Sequence, residues 1–311
     1  MDFYVGPGVM VRKLEDDKSP ETPSESRISL RAPDFQASPL VIASPHSGRV
    51  YSSEFLSMTR LHVTALRRSE DSYVDELFSD ARGFGAPLLC ALFPRSFVDV
   101  NRSPTEIDRK ICSDVLPSYV DTRSERVRSG LGVIPRLASS GAEIYSQSLP
   151  ISAVRQRLLT HYFPYHRMLR QVIRETREQF GHVTLLDCHS MPSQLYAGPS
   201  DPIFDIVLGD QYGRSCSSHV IDKVEAVFVG QGYRVVRNTP YAGGFVTKHY
   251  GSPERGVDVL QLEVSRALYM DEQTLRRGPG MLRVRAHMAL SLIHISEPTR
   301  RYAISDAVFV L

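Results

Sequence analysis

Three short apolar runs constrain the fold of this chain more than any other feature. Leu40-Val41-Ile42-Ala43, Val183-Thr184-Leu185-Leu186-Asp187 and the stretch 257–264 carry apolar residues on both alternating faces. Strands of that kind are buried on both sides, which calls for a sheet covered by helices above and below. Further strands are expected at 87–93, 96–100, 204–208 and 233–237. Helical spacing of apolar residues marks 69–82, 151–180, 214–230 and 271–288. Pro164 should kink or split the second of these helices, and Gly181 should end it. This alternation predicts an α/β fold: a single-domain three-layer α/β/α sandwich with a mixed, largely parallel central sheet.

The remaining sequence sets limits. Residues 1–36, which include DDKSPETPSESR, read as a flexible N-terminal arm, and 37–289 as the domain. Leu290 to Arg300 resembles the in-frame translation of a transposon-based sequencing-library adapter. The tail 290–311 is therefore expected to be non-native, and His294 is set aside from site reasoning. The 37 basic and 35 acidic residues leave a formal charge of +2, which argues against a nucleic-acid partner. No apolar run approaches the about 20 residues of a membrane span, and charges at Lys13 to Lys18 interrupt any leader-like segment. Cys90, Cys112, Cys188 and Cys216 form no C-x-x-C pair, as expected of reduced thiols in a cytoplasmic protein. The oligomeric state is not encoded in any of these features.

Two histidines stand just beyond two of the apolar strands: His46 after 40–44 and His189 after 183–187. In open α/β sheets the ligand crevice lies outside the carboxyl ends of the strands, where two imidazoles can meet around one metal. Hydrogen-bonded structural histidines are the competing reading, since no H-E-x-x-H helix is present. Glu70 and Asp71, at a predicted helix start, are the nearest acidic candidates for a third ligand. Glu263 lies in an apolar strand and is either ion-paired with a neighbour such as Arg266 or a general base whose pKa burial raises. Asn101-Arg102 offers bidentate recognition of a carboxylate, or else a surface loop. Lys248 and His249 follow the loop 238–244 and could reach an anionic substrate. Cys188 or Ser190 as a nucleophile with a histidine base is a rival. It is weakened because strand neighbours point to opposite faces and no G-x-S-x-G elbow is present.

These residues lie in segments that together resemble the N-formylglutamate amidohydrolases. The segments are SPHSGRVY (44–51), EDSYVDELF (70–78), FPRSFVDVNRSPTEID (93–108), GLGVIPR (130–136), YFPYHRML (162–169), LLDCHSMPS (185–193), DIVLGD (205–210), NTPYAGGFVTKHYGSPERG (238–256) and QLEVSRALYMDE (261–272). The resemblance implies a fold related to zinc carboxypeptidases and one catalytic Zn2+ per chain, held by His46, His189 and a carboxylate. Asp71 is the choice for that carboxylate, with Glu70 and Asp75 as competitors. It further implies Glu263 as general base, Asn101 and Arg102 on a substrate carboxylate, and Arg136 and Lys248 as further anion-binding residues. The implied reaction is hydrolysis of N-formyl-L-glutamate, a small-molecule N-acyl amino acid, to formate and L-glutamate in histidine degradation. A zinc hydrolase of another N-acyl amino acid or small peptide, or an inactive binding protein on the same fold, are the alternatives.

Overall fold

The computed structural model describes residues 27–193 and 204–296. Seven strands form one sheet: β1 (Ile28–Arg31), β2 (Leu40–Ser44), β3 (Leu88–Ala91), β4 (Val183–Met191), β5 (Ile206–Gly209), β6 (Val235–Arg237) and β7 (Val257–Ser265), in the order β1-β3-β2-β4-β7-β5-β6. The pairs β3/β2, β2/β4, β4/β7 and β5/β6 are parallel, whereas β1/β3 and β7/β5 are antiparallel. The sheet is mixed and largely parallel, as its apolar runs required. Strand β1 lies within the segment expected as an arm, and residues 1–26 lie outside the described residues.

Each central strand feeds two cores. Val41, Ala43, Val183, Leu185, Val257 and Val259 face one side, together with buried Phe55 of α1 (Ser53–Met58), Leu66 of α2 (Val63–Arg67) and the long helix α6 (Phe163–Phe180). Leu40, Ile42, Leu186, Cys188, Leu260 and Leu262 face the other, against α3 (Val74–Leu77), α7 (Ser218–Gly230) and α9 (Met281–Ser296). A sheet with helices on both sides is the three-layer arrangement. Two shorter helices, α4 (Glu125–Arg128) and α8 (Phe245–Tyr250), lie in the connections. No helix of the described residues is long and apolar enough to cross a membrane.

Several elements differ from the sequence pattern for physical reasons. Residues 96–100 form no strand. Pro94 starts a turn whose carbonyl accepts from the Phe97 and Val98 N–H groups, and Val98 and Val100 are buried inside it. The helix expected over 69–82 is cut to α3 and a 3₁₀ turn at Ser79–Phe84, because Tyr73 adopts a left-handed φ of 68°. The helix expected from 271 begins at Met281; before it, Met270–Asp271 (β8) pairs with Arg276–Arg277 (β9). Helix α9 runs on to Ser296 with Leu292 and Ile295 buried. Apolar residues at helical spacing suffice for that, whatever the origin of the segment.

Pro164 neither kinks nor splits its helix in the expected way. Helix α5 (Ile151–Arg157) passes through one π turn, Leu158–Tyr162, directly into α6, and Pro164 sits in the first turn after it. The π turn frees backbone groups where the proline lacks an N–H. On the α5 side, Arg157 is buried with its guanidinium 4.2 Å above the Phe97 ring and donates to Tyr145 Oη at 2.6 Å. On the α6 side, Tyr162 donates to Arg102 O at 2.8 Å, and His166 Nε2 donates to Val100 O at 2.9 Å.

Candidate metal centre and active site

The candidate site grows out of one face of the sheet. Along β4, apolar Val183 and Leu185 give way on the same face to Asp187 and His189. Along β7, Val257 and Val259 give way to Gln261 and Glu263. Register pairs Asp187 with Gln261 and His189 with Glu263, so four polar side chains line the carboxyl ends of two adjacent parallel strands. His46 arrives two residues beyond β2, the other neighbour of β4. His189 lies inside β4 rather than beyond it, because the strand extends to Met191. Cys188 points into the opposite core, where burial pushes its thiol pKa well up, so it forms no pair with His189.

Asp71 completes the cluster. Its backbone N–H donates to His46 O at 3.0 Å, and the left-handed turn at Tyr73 follows. Its Oδ2 lies 2.9 Å from His189 Nδ1 and 3.3 Å from His46 Nδ1. The ligand atoms of His46, Asp71 and His189 fall within 4.8 Å of one another, and all three residues are buried. The competing carboxylates are engaged elsewhere. Glu70 accepts from Tyr51 Oη at 2.8 Å, and Asp75 accepts from Arg49 at 3.1 Å.

The far side of each imidazole is equally fixed. His46 Nε2 lies 2.7 Å from Asp99 Oδ1, and His189 Nε2 lies 3.0 Å from Asp187 Oδ2. With a metal at the centre, the carboxylate at each Nε2 would hold the ring proton there and leave the Nδ1 lone pairs to the metal, the arrangement of metal-bound histidines with outer carboxylate partners. Burial opposes charge on Asp71, but hydrogen bonds from His189 and His46 hold its carboxyl well below the usual range. Burial opposes charge on Asp99 as well, and His46 with Arg95 holds it low. Burial lowers the His189 pKa, and the Asp187 charge more than reverses this. The nest therefore stabilises positive charge at its centre, and two imidazoles with one carboxylate form a donor set that suits a catalytic divalent metal.

Burial raises the Glu263 pKa to about 7, with the His189 charge opposing. Its Oε1 accepts from Gln261 Nε2 at 2.8 Å. Arg95 donates to Asp99 Oδ2 at 2.8 Å and reaches Asp71 Oδ1 at 4.0 Å. Arg266, read from the sequence as a partner of Glu263, donates instead to Ser190 Oγ, Glu70 O and Asp71 Oδ1, at 3.0, 2.7 and 3.3 Å. Burial raises the Tyr241 hydroxyl pKa, with the charges of Glu263 and Asp71 adding to the effect.

The other sequence candidates are placed as follows. Asn101 is buried. Its Nδ2 lies 3.3 Å from Asp187 Oδ2 and 3.2 Å from His189 Nε2, and its Oδ1 accepts the Val246 N–H at 2.8 Å. It clamps α8 to the cluster, and Gly244 is required beside it because a Cβ there would stand 2.5 Å from the Asn101 amide. Arg102 donates to Leu131 O at 3.0 Å and Asn101 O at 2.7 Å, while its second terminal nitrogen lies 3.9 Å from Asp99. Lys248 is exposed on α8. Arg136 donates to Asp108 Oδ2 at 2.7 Å and lines a different cavity. The sequence pattern assigns no role to Asp99, Asp187, Arg95 and Gln261. For Asp187 and Gln261 a signal exists: each lies two positions before a candidate on the same strand face.

The chain is similar to known proteins over most of its length. The N-formylglutamate amidohydrolase family model matches residues 38–270. N-formylglutamate deformylase of Pseudomonas aeruginosa is 31% identical over 238 residues, covering 76% of this chain and 83% of the relative. That of Pseudomonas putida is 29% identical over 237 residues, covering 75% and 82%. The crystal structure of N-formylglutamate amidohydrolase from Ralstonia eutropha superposes with a TM-score of 0.82 at 33% identity, covering 87% of this chain and 97% of that one. A sheet, a buried polar cluster and a match over most of the chain's length thus lead to one assignment: the chain belongs to the N-formylglutamate amidohydrolase family.

Proposed function

We propose that the chain hydrolyses the amide bond of N-formyl-L-glutamate to formate and L-glutamate, with one zinc ion held by His46, Asp71 and His189. The observation that carries this reading is the buried cluster in which both Nδ1 atoms face one Asp71 oxygen while a carboxylate holds each Nε2. The names borne by the relatives supply the substrate. When bound, the metal supplies Lewis-acid chemistry: it acidifies a water molecule and polarises the formyl carbonyl.

The protein's own groups do the rest. Glu263, with a pKa pushed up to about 7, takes a proton from the attacking water and delivers it to the amide nitrogen as the C–N bond breaks. Gln261 fixes one Glu263 oxygen and leaves the other for the water. Arg95, between Asp71 and Asp99, faces the negative charge that develops on the carbonyl oxygen. Arg102 keeps a terminal nitrogen for the α-carboxylate. Lys248, two residues beyond the Val246 N–H that Asn101 holds, is assigned the side-chain carboxylate. Asn101 positions the cluster through Asp187 and His189, and stands beside Arg102 for the substrate carboxylate. The four free thiols accord with the cytoplasm, where the reaction would serve histidine degradation.

The test is formate release from N-formyl-L-glutamate by the zinc-loaded protein, set beside N-acetyl-L-glutamate and N-formyl-L-aspartate. The formylglutamate substrate should have the highest kcat/KM. Faster turnover of the acetyl compound would reassign the acyl specificity, and no turnover of either formyl substrate would remove the proposal.

A further inference from the structure

A concavity lies among residues that make no hydrogen bond or ion pair with the metal cluster. It is an open cleft of about 500 Å³, lined by Arg109, Lys110, Arg128 and Arg136 with Asp108 and Thr122. Four cations thus face one carboxylate, and that carboxylate is already engaged. Asp108 Oδ2 accepts from Arg136 Nε at 2.7 Å, and Oδ1 accepts the Lys110 backbone N–H at 2.9 Å. Glu143, itself on the exposed side, approaches Arg136 at 3.6 Å. Arg109, Lys110 and Arg128 have no carboxylate partner among the described residues, nor has the Thr122 hydroxyl a hydrogen bond there.

Arg109, Lys110 and Arg128 are exposed, but they line one open cleft together with Arg136, and a cleft lined by one sign of charge concentrates positive potential. Two guanidinium forks, an ammonium and a hydroxyl form a donor set matched to phosphate oxygens. The volume falls in the range of small-molecule sites and far exceeds one phosphate group. We propose that this cavity binds an organic phosphate ester at a site separate from the metal centre. The same two segments carry both sites. Asp99 N–H donates to Val133 O at 2.8 Å, Val133 N–H donates to Glu106 O at 2.8 Å, and Asp108 and Arg136 stand at their far ends. A bound ester raises the unfolding temperature.

Calorimetric titration of the zinc-loaded protein with glucose 6-phosphate and with AMP, in about 50 mM salt to limit screening, tests this. At least one ester should bind saturably, glucose should not, and binding should persist after the metal is chelated. Arg109→Ala/Lys110→Ala and Arg128→Glu should each weaken binding about tenfold or more. The same variants should leave N-formylglutamate turnover within about twofold, as expected of separated sites. Absence of binding by both esters at about 10 mM, a concentration that would detect even a weak site, overturns the proposal. So does binding that survives both variants or vanishes with the metal. An increase in KM for N-formylglutamate in those variants, without ester binding, would instead give the cavity to the substrate.

Discussion

Asp99→Asn probes the metal centre without altering a ligand. For His46 Nδ1 to carry a free lone pair, the ring proton must sit on Nε2, and Asp99 Oδ1 accepts it at 2.7 Å. The same oxygen accepts the Asn101 N–H at 2.9 Å, and Oδ2 accepts from Arg95 at 2.8 Å. An amide has only one oxygen for these three donors. Kept toward His46, it turns its NH2 group against the Arg95 guanidinium. Flipped, it places NH2 against Nε2 and drives the ring proton to Nδ1, the atom a metal needs. Loss of such an outer partner lowers metal affinity about 10–100-fold, or about 1.4–2.7 kcal/mol. Competition against a chromophoric chelator measures zinc affinity directly, and thermal unfolding in excess zinc confirms that the variant is folded. A folded Asp99→Asn variant with affinity within about twofold of the parent would refute the tautomer argument.

Three further outcomes are expected. Glu263→Gln should retain zinc and lose turnover by about 100-fold or more; equal loss of metal and activity would withdraw the base assignment. Gly48→Ala would place a Cβ 2.1 Å from Phe93 O, immovable backbone beside the His46 loop, and should cost about 1–3 kcal/mol in denaturant unfolding; an unchanged midpoint would contradict the contact. Burial holds the His166 pKa down at about 3, against about 6.5 in an unfolded chain. The unfolded state therefore binds more protons between these values, and the stability His166 allows above the unfolded pKa is lost as pH falls toward 3, by up to about 1.4 kcal/mol per pH unit. His166→Gln should flatten this part of the stability profile between about pH 4.5 and 6.5; an unchanged slope would show that His166 titrates normally.

The parts of the structure legible in the sequence are those that local periodicity fixes. β2, β4 and β7 follow from runs apolar on both faces, and their carboxyl ends bring His46, His189 and Glu263 to one edge. Residues 96–100 mislead because burial of Val98 and Val100 in a turn produces the same alternation as a strand. The choice of Asp71 over Glu70 depends on a backbone bond to His46 and on the turn at Tyr73, which no local pattern encodes. Asp99 is hidden because its partner is 53 residues away in sequence. Arg136 is picked out by its motif, and no local pattern encodes its ion pair with Asp108, 28 residues away.

The π turn between α5 and α6 can be understood as a phase shifter. One extra residue in a helix rotates everything beyond it by about 100° relative to the preceding part. With that offset, α5 turns Arg157 onto Phe97 and Tyr145, while Tyr162 at the end of the π turn and His166 of α6 reach Arg102 and Val100. A helix without the offset could satisfy one of these azimuths but not both. The rod is thus indexed at two angles against one polypeptide segment, residues 97–102. The orientation of the strap that carries Asp99 is set by a single surplus residue in the helix packed directly against it.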